Sequence, residues 1–385
     1  MGPGPRHPDP VRALHSHERT PARLLRACLF ARSCAPRLML ACCLVALLGI
    51  ACSSGNKGKI SIAGNHPIAS PADNVVPIHV DFGIPEIGYV NGLFVMVTLC
   101  VPDTDQCQDV EHVVLDTGST GLRVIGSVLT LQLPALKNDK GVPLAECGQF
   151  IGGYTWGPMA KADFKMGAKQ VSGLPVHVIE KNTYPVPSGC TGVDVGSVEQ
   201  MGANGILGIG TSIQDCGVAC APNPPAGYRN PKMYYACASS KTGGCQVTTV
   251  PLEQQLTNPV PLFDQDNNGT IIQLPAIPEM GAELVEGALV FGIGTRDNNA
   301  LGEAHVIQLD EVGLFLSRLS PKGIFSADGD SGWTDAFIDS GSNALYFLDS
   351  KTADIPTCDD YRIGGFYCPS STRVLISQTR DASGE

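Results

Sequence analysis

A chain of 385 residues, 43% apolar and 16% charged, can bury the cores of two ordinary lobes and is not a disordered polyelectrolyte. A formal net charge of −11, with no basic stripe in the mature region, argues against nucleic acid as a partner. The 44 glycines and 29 prolines suit many short strands joined by turns, an all-β pattern.

Residues 1–52 differ in kind from the rest. Positions 1–37 are rich in Arg, His and Pro, and Leu38 to Ala51 is a 14-residue apolar run preceded by Arg37. That run is short for a membrane span and suited to a secretion-signal core. It ends Leu48-Gly49-Ile50-Ala51-Cys52, which resembles a bacterial lipoprotein cleavage site with Cys52 as the lipid-bearing residue. Gly49 departs from the Leu that such sites prefer. The chain is therefore expected in the bacterial cell envelope, lipid-anchored or secreted, touching membrane only through Cys52. Residues 53–74 read as a polar tether.

Strands and turns begin at Val75. Asn91-Gly92 is a hairpin signal before the run Leu93 to Leu99. The run Val110 to Leu115 delivers Asp116-Thr117-Gly118-Ser119, and Gly121 to Val124 leads away from it. Buried carboxylates need hydrogen bonds, which a turn of hydroxyls and backbone N–H groups supplies. Phe150 to Pro158 and Ala162 to Gly167 are glycine-containing runs, and Asn204 to Gly210 is an apolar segment closed by glycines. Residues 211–260 hold a Cys-, Pro- and Gly-rich insertion and a connection. Asp264 to Gly269 has the outline of a calcium loop, but Pro275 stands where the closing Glu belongs, so it reads as a hairpin turn. Gly287 to Gly294 opens further strands. Ala336-Phe337-Ile338 then delivers a second tetrad, Asp339-Ser340-Gly341-Ser342.

Two such tetrads, with Gly205-Ile206-Leu207-Gly208 between them, resemble the pepsin-like aspartic proteases. The resemblance implies a two-lobed all-β fold: an N-terminal lobe over 75–210, and a C-terminal lobe over 261–385. It also implies that Asp116 and Asp339 face each other and share a proton, one activating a water while the other polarises a peptide carbonyl. Thr117 and Ser340 would tie the loops together, Gly118 and Gly341 would allow the turns, and Ser119 and Ser342 would orient the carboxylates. The hairpin after Phe150 would be the flap, with Tyr154 as its covering aromatic and Trp156 as the rival. The partner would be a peptide or protein substrate, with no metal and no cofactor. Two departures stand out. Arg123 occupies the place of an aromatic that steadies the flap, and only 46 residues follow Asp339, without a second support motif. The second lobe is therefore expected to be truncated. Both departures favour the alternative, a non-catalytic envelope binding protein on the same scaffold.

Five cysteines lie in the leader and ten beyond it. In an exported chain these read as disulfides, with Cys100–Cys107, Cys216–Cys220, Cys237–Cys245 and Cys358–Cys368 as local pairs, leaving Cys147 and Cys190. The eight histidines are scattered without a helical His-x3-His spacing and read as surface or packed residues rather than ligands.

Overall fold

Val75–Asp81 (β1), Gly92–Cys100 (β2) and Cys107–Asp116 (β3) are rich in β-branched residues, and many of their buried members lie in the central core. The computed structural model describes residues 68–84, 88–238, 244–320, 332–359 and 365–384, all within one unit spanning Ser61–Glu385. The leader 1–52, including Cys52, lies outside the described residues, as does most of the tether. Among the described residues, fifteen strands and two one-turn α-helices bear out the all-β expectation, and no helix is long and apolar enough to cross a membrane.

The sheet continues through Thr120–Ile125 (β4), Leu144–Phe150 (β5), Gly153–Met166 (β6), Lys169–Ile179 (β7) and Gly205–Ile209 (β8). Strands β2, β3, β8, β4, β7 and β6 pair in that order, and β6 pairs back onto β2, so the six close into a barrel. Val95, Leu99, Leu115, Leu122, Phe164 and Leu207 are buried together in one cluster. Closure leaves these six strands without free edges.

Further strands extend the barrel on both sides. Tyr234–Cys237 (β9) and Cys245–Val247 (β10), from the cysteine-rich insertion, add to β5. Thr270–Gln273 (β11) and Val285–Phe291 (β12) add to β1, in register from Val75 opposite Val290 to Val80 opposite Val285. Residues 270–291 thus join the large sheet rather than grouping with the later strands. The reason is that Ala288 to Phe291 are buried without interruption, as a strand covered on both faces requires. Phe315–Ser320 (β13), Thr334–Ala336 (β14) and Ile376–Arg380 (β15) form a separate small sheet.

All five expected cysteine pairs are disulfides, which suits a chain exported to an oxidising compartment. In the Asp264 to Gly269 turn, Asp266 is bound by Lys169 Nζ at 2.7 Å, Arg296 Nη2 at 2.6 Å and Thr295 Oγ1 at 2.8 Å. Its charge is neutralised by protein cations.

Candidate active site

Strand β3 ends at Asp116, and β8 runs behind it, with Asp116 opposite Gly208. A Cβ on Gly208 would stand 2.3 Å from the Thr120 nitrogen, so only glycine lets β8 pass this close to the loop. The Gly210 N–H donates to the Ser119 carbonyl at 2.9 Å, which fixes the loop from behind. Asp116 is 7% exposed. One carboxylate oxygen accepts from the Gly118 N–H at 2.7 Å and the other from the Ser119 hydroxyl.

The second tetrad repeats the pattern. Asp339 Oδ1 accepts from the N–H groups of Gly341 and Ser342 at 2.8 and 3.1 Å, and Oδ2 accepts from the Ser342 hydroxyl at 2.6 Å. The two loops interlock with a two-fold logic. Thr117 Oγ1 donates to the Ile338 carbonyl at 2.8 Å and accepts from the Ser340 N–H at 2.9 Å. Ser340 Oγ donates to the Leu115 carbonyl at 2.7 Å and accepts from the Thr117 N–H at 3.1 Å. Each such bond contributes ~1 kcal/mol net, and together they fix the spacing of the two carboxylates.

That spacing is close. A Cβ on Gly341 would lie 2.6 Å from the Asp116 carboxyl carbon, and one on Gly118 would lie 2.8 Å from that of Asp339. Each carboxyl group thus lies against the glycine of the opposite loop. Burial, together with the bond and charge of Asp339, outweighs the loop hydrogen bonds and pushes Asp116 up to about 6. Tyr89, which carried no sequence signal, also belongs here. Its hydroxyl donates to the Gly341 carbonyl at 3.3 Å. Burial, then the charges of Asp116 and Asp339, raise its pKa.

The hairpin of β5 and β6 turns at Ile151 and Gly152, with Ile151 fully exposed at the tip. Alternation along the strands separates its two faces. Cys147, Tyr154 and Trp156 share one face, against Cys190 and Tyr235. Trp156 is buried, packs edge-on to Tyr235 at 5.3 Å, and donates its indole N–H to the Tyr184 carbonyl at 3.0 Å. It is a core residue, not a covering aromatic, and Tyr154 packs against the same cluster. Glu146, Gly148 and Phe150 lie on the other face, where Phe150 sits over the Arg123 guanidinium at 5.4 Å. The hairpin aromatic on the Arg123 side is therefore Phe150.

Arg123 is buried and anchors a charged cluster beneath that face. Its guanidinium meets Glu146 at 2.6 Å and Asp215 at 3.3 Å, and donates to the Thr120 carbonyl at 2.9 Å. His177 Nδ1 stands 2.9 Å from Glu146. Tyr234 donates to Asp215 at 2.6 Å and accepts from the Leu256 N–H at 2.8 Å. Burial opposes ionisation of Glu146, but Arg123 and His177 overcome it and hold its carboxyl well below the usual range. Burial and the Glu146 charge push Asp215 the other way. The cluster ties the hairpin and the insertion to β4, the strand that leaves the first loop.

A cavity of about 710 Å³ adjoins the interlock, lined by Thr117, Ser119, Val260, Phe337 and Ile338 among others. Phe337, Ile338, Leu345 and Tyr346 around the second tetrad are 49%, 72%, 90% and 78% exposed, so this loop has far less packing behind it than the first.

Fold and site together define an all-β protein with two interlocked Asp-hydroxyl-Gly-Ser loops. The chain belongs to the family described as "Protein of unknown function (DUF3443)", whose model matches residues 70–385. It is also similar to the solved aspartic proteinase from Irpex lacteus, at 13% identity and a TM-score of 0.41, over 74% of this chain and 69% of that one. No curated protein matches the chain.

Proposed function

We propose that this chain is an aspartic-type endopeptidase, with Asp116 and Asp339 sharing a proton and a water between them. The observation that carries the reading is the reciprocal Thr117–Ser340 interlock, which ties together the two loops that carry Asp116 and Asp339. The ionised carboxylate takes a proton from the water while its protonated partner donates to the peptide carbonyl. A tetrahedral intermediate forms without a covalent bond to the protein. The apparent pKa values belong to the pair, so neither residue is assigned the proton in advance. Phe150, on the hairpin face braced by Arg123, is the aromatic that would close over a bound peptide and exclude water. No metal or organic cofactor enters this chemistry. The setting is the bacterial envelope, with Cys52 as a lipid anchor.

The exposed apolar surface around the second loop favours a second reading, a binding protein that holds peptides without cleaving them. Peptide-library cleavage across pH 3 to 8 separates the two, comparing the chain with its Asp116→Asn and Asp339→Asn variants after confirming that all three fold. Cleavage that disappears in both variants supports the peptidase. A folded chain that cleaves nothing in this range supports the binding protein.

A further inference from the structure

We infer that His79, Asp81 and His112 form a binding site for a divalent transition metal of the zinc class. Their ligand atoms all lie within 4.8 Å of one another, on β1 and β3. His79 and Asp81 are two apart on β1 and so share a face. His112 comes from β3, two strands over, and both imidazoles pack against Phe94 of the intervening β2, at 5.9 and 5.3 Å.

The placement of His112 is costly to the backbone. The β2–β3 register slips so that Glu111 and His112 oppose the single residue Met96, a β-bulge. His112 takes φ +49° in that bulge, a left-handed conformation that costs a non-glycine residue on the order of 1–2 kcal/mol. The bulge turns its imidazole toward Asp81.

The distances also suit a shared ion. Asp81 Oδ2 lies 3.5 Å from His79 Nε2 and 3.3 Å from His112 Nε2. The His112 contact is a long hydrogen bond as it stands, and both separations are those of ligands gathered around one ion. Two ligands each about 2.05 Å from a tetrahedral zinc stand about 3.3 Å apart. The other Asp81 oxygen accepts from the Gly83 N–H at 2.6 Å, which orients the carboxylate as an outer partner orients a metal ligand. The three side chains are 30%, 22% and 26% exposed, so an ion can enter and a water can complete four-coordination. Two imidazoles and one carboxylate suit zinc and its neighbours rather than calcium or magnesium. A bound ion would cross-link β1 to β3, four residues before Asp116.

The test is equilibrium dialysis of the full chain against zinc, with cobalt(II) visible absorption as the report on geometry. The variants are His79→Gln, Asp81→Asn and His112→Asn, the last because Asn tolerates the left-handed conformation. The expected result is one equivalent in the parent with a four-coordinate nitrogen–oxygen spectrum, weakened more than ~10-fold in each variant, since losing even an outer partner costs about 10–100-fold. Zinc should also raise the melting temperature of the parent and not of the variants. Binding of equal stoichiometry and strength in parent and folded variants would overturn the assignment, as would no saturable binding in the parent.

Discussion

Replacing Arg123 by Leu removes the side chain that meets both Glu146 and Asp215 in the cluster beneath the hairpin. The cation is 3% exposed, and its carboxylate partners are 0% and 4% exposed. Water cannot take over its role. Removing one partner of a buried pair costs ~3–5 kcal/mol, because the remaining charge is left uncompensated. The cost depends on pH in a definite direction. In the parent, Glu146 is depressed from 4.5 to about 2, so its contribution is present above 4.5 and lost as pH falls toward 2. In Arg123→Leu, burial dominates and the Glu146 carboxyl prefers to be neutral, so acid relieves the variant while it weakens the parent. Urea denaturation should therefore show a gap of ~3–5 kcal/mol at pH 7 that narrows by pH 3. The double variant Arg123→Leu/Glu146→Leu should recover much of the loss, since apolar replacement of a whole buried pair is often neutral. A gap below ~1 kcal/mol at pH 7, the range of a surface ion pair, would refute the reasoning. So would a gap that does not change with pH.

Other substitutions probe the interlock and the staples. Gly341→Ala places a methyl 2.6 Å from the Asp116 carboxyl carbon; the loops must part, costing ~1–3 kcal/mol in chemical denaturation and abolishing peptide cleavage. Removing Cys147 and Cys190 together opens a loop of 43 residues in sequence separation and should cost ~2–4 kcal/mol in thermal unfolding under non-reducing conditions. Phe150→Ala should lower cleavage at a smaller cost in melting temperature, because the ring is only half-buried at the hairpin end; the same substitution at the fully buried Trp156 should cost ~3–5 kcal/mol of stability.

What the sequence could reveal followed the range of each interaction. The tetrads are local: an apolar strand, an acid, a hydroxyl and a glycine within a few residues. The disulfides were legible because four of the five join cysteines at most ten positions apart. Strand partners were not, since nothing local says that Val285–Phe291 pairs with Val75–Asp81 across two hundred residues. Tyr89 reaches the second loop from 252 positions away and leaves no local trace. Arg123 looked like a defect because its partners come from β5 and the insertion, and only their convergence makes a buried cation tolerable. Tyr154 and Trp156 were suggested by the flap resemblance, whereas alternation from the disulfide-bonded Cys147 places both on the face that packs against Cys190 and Tyr235. Glu146, Gly148 and Phe150 carried the better signal. The scattered histidines lacked a helical spacing because two of them meet Asp81 across a sheet.

The most direct measurement of the proposed carboxylate pair is a carbon-13 NMR titration of the Asp side chains in the parent and in Asp339→Asn. Asp116 is expected to titrate near 6 rather than near its ordinary 3.8. Removing the Asp339 charge should lower that value part of the way, since burial remains. An Asp116 that titrates near 3.8 in the parent, or that does not respond to Asp339→Asn, would contradict a shared proton and with it the proposed chemistry.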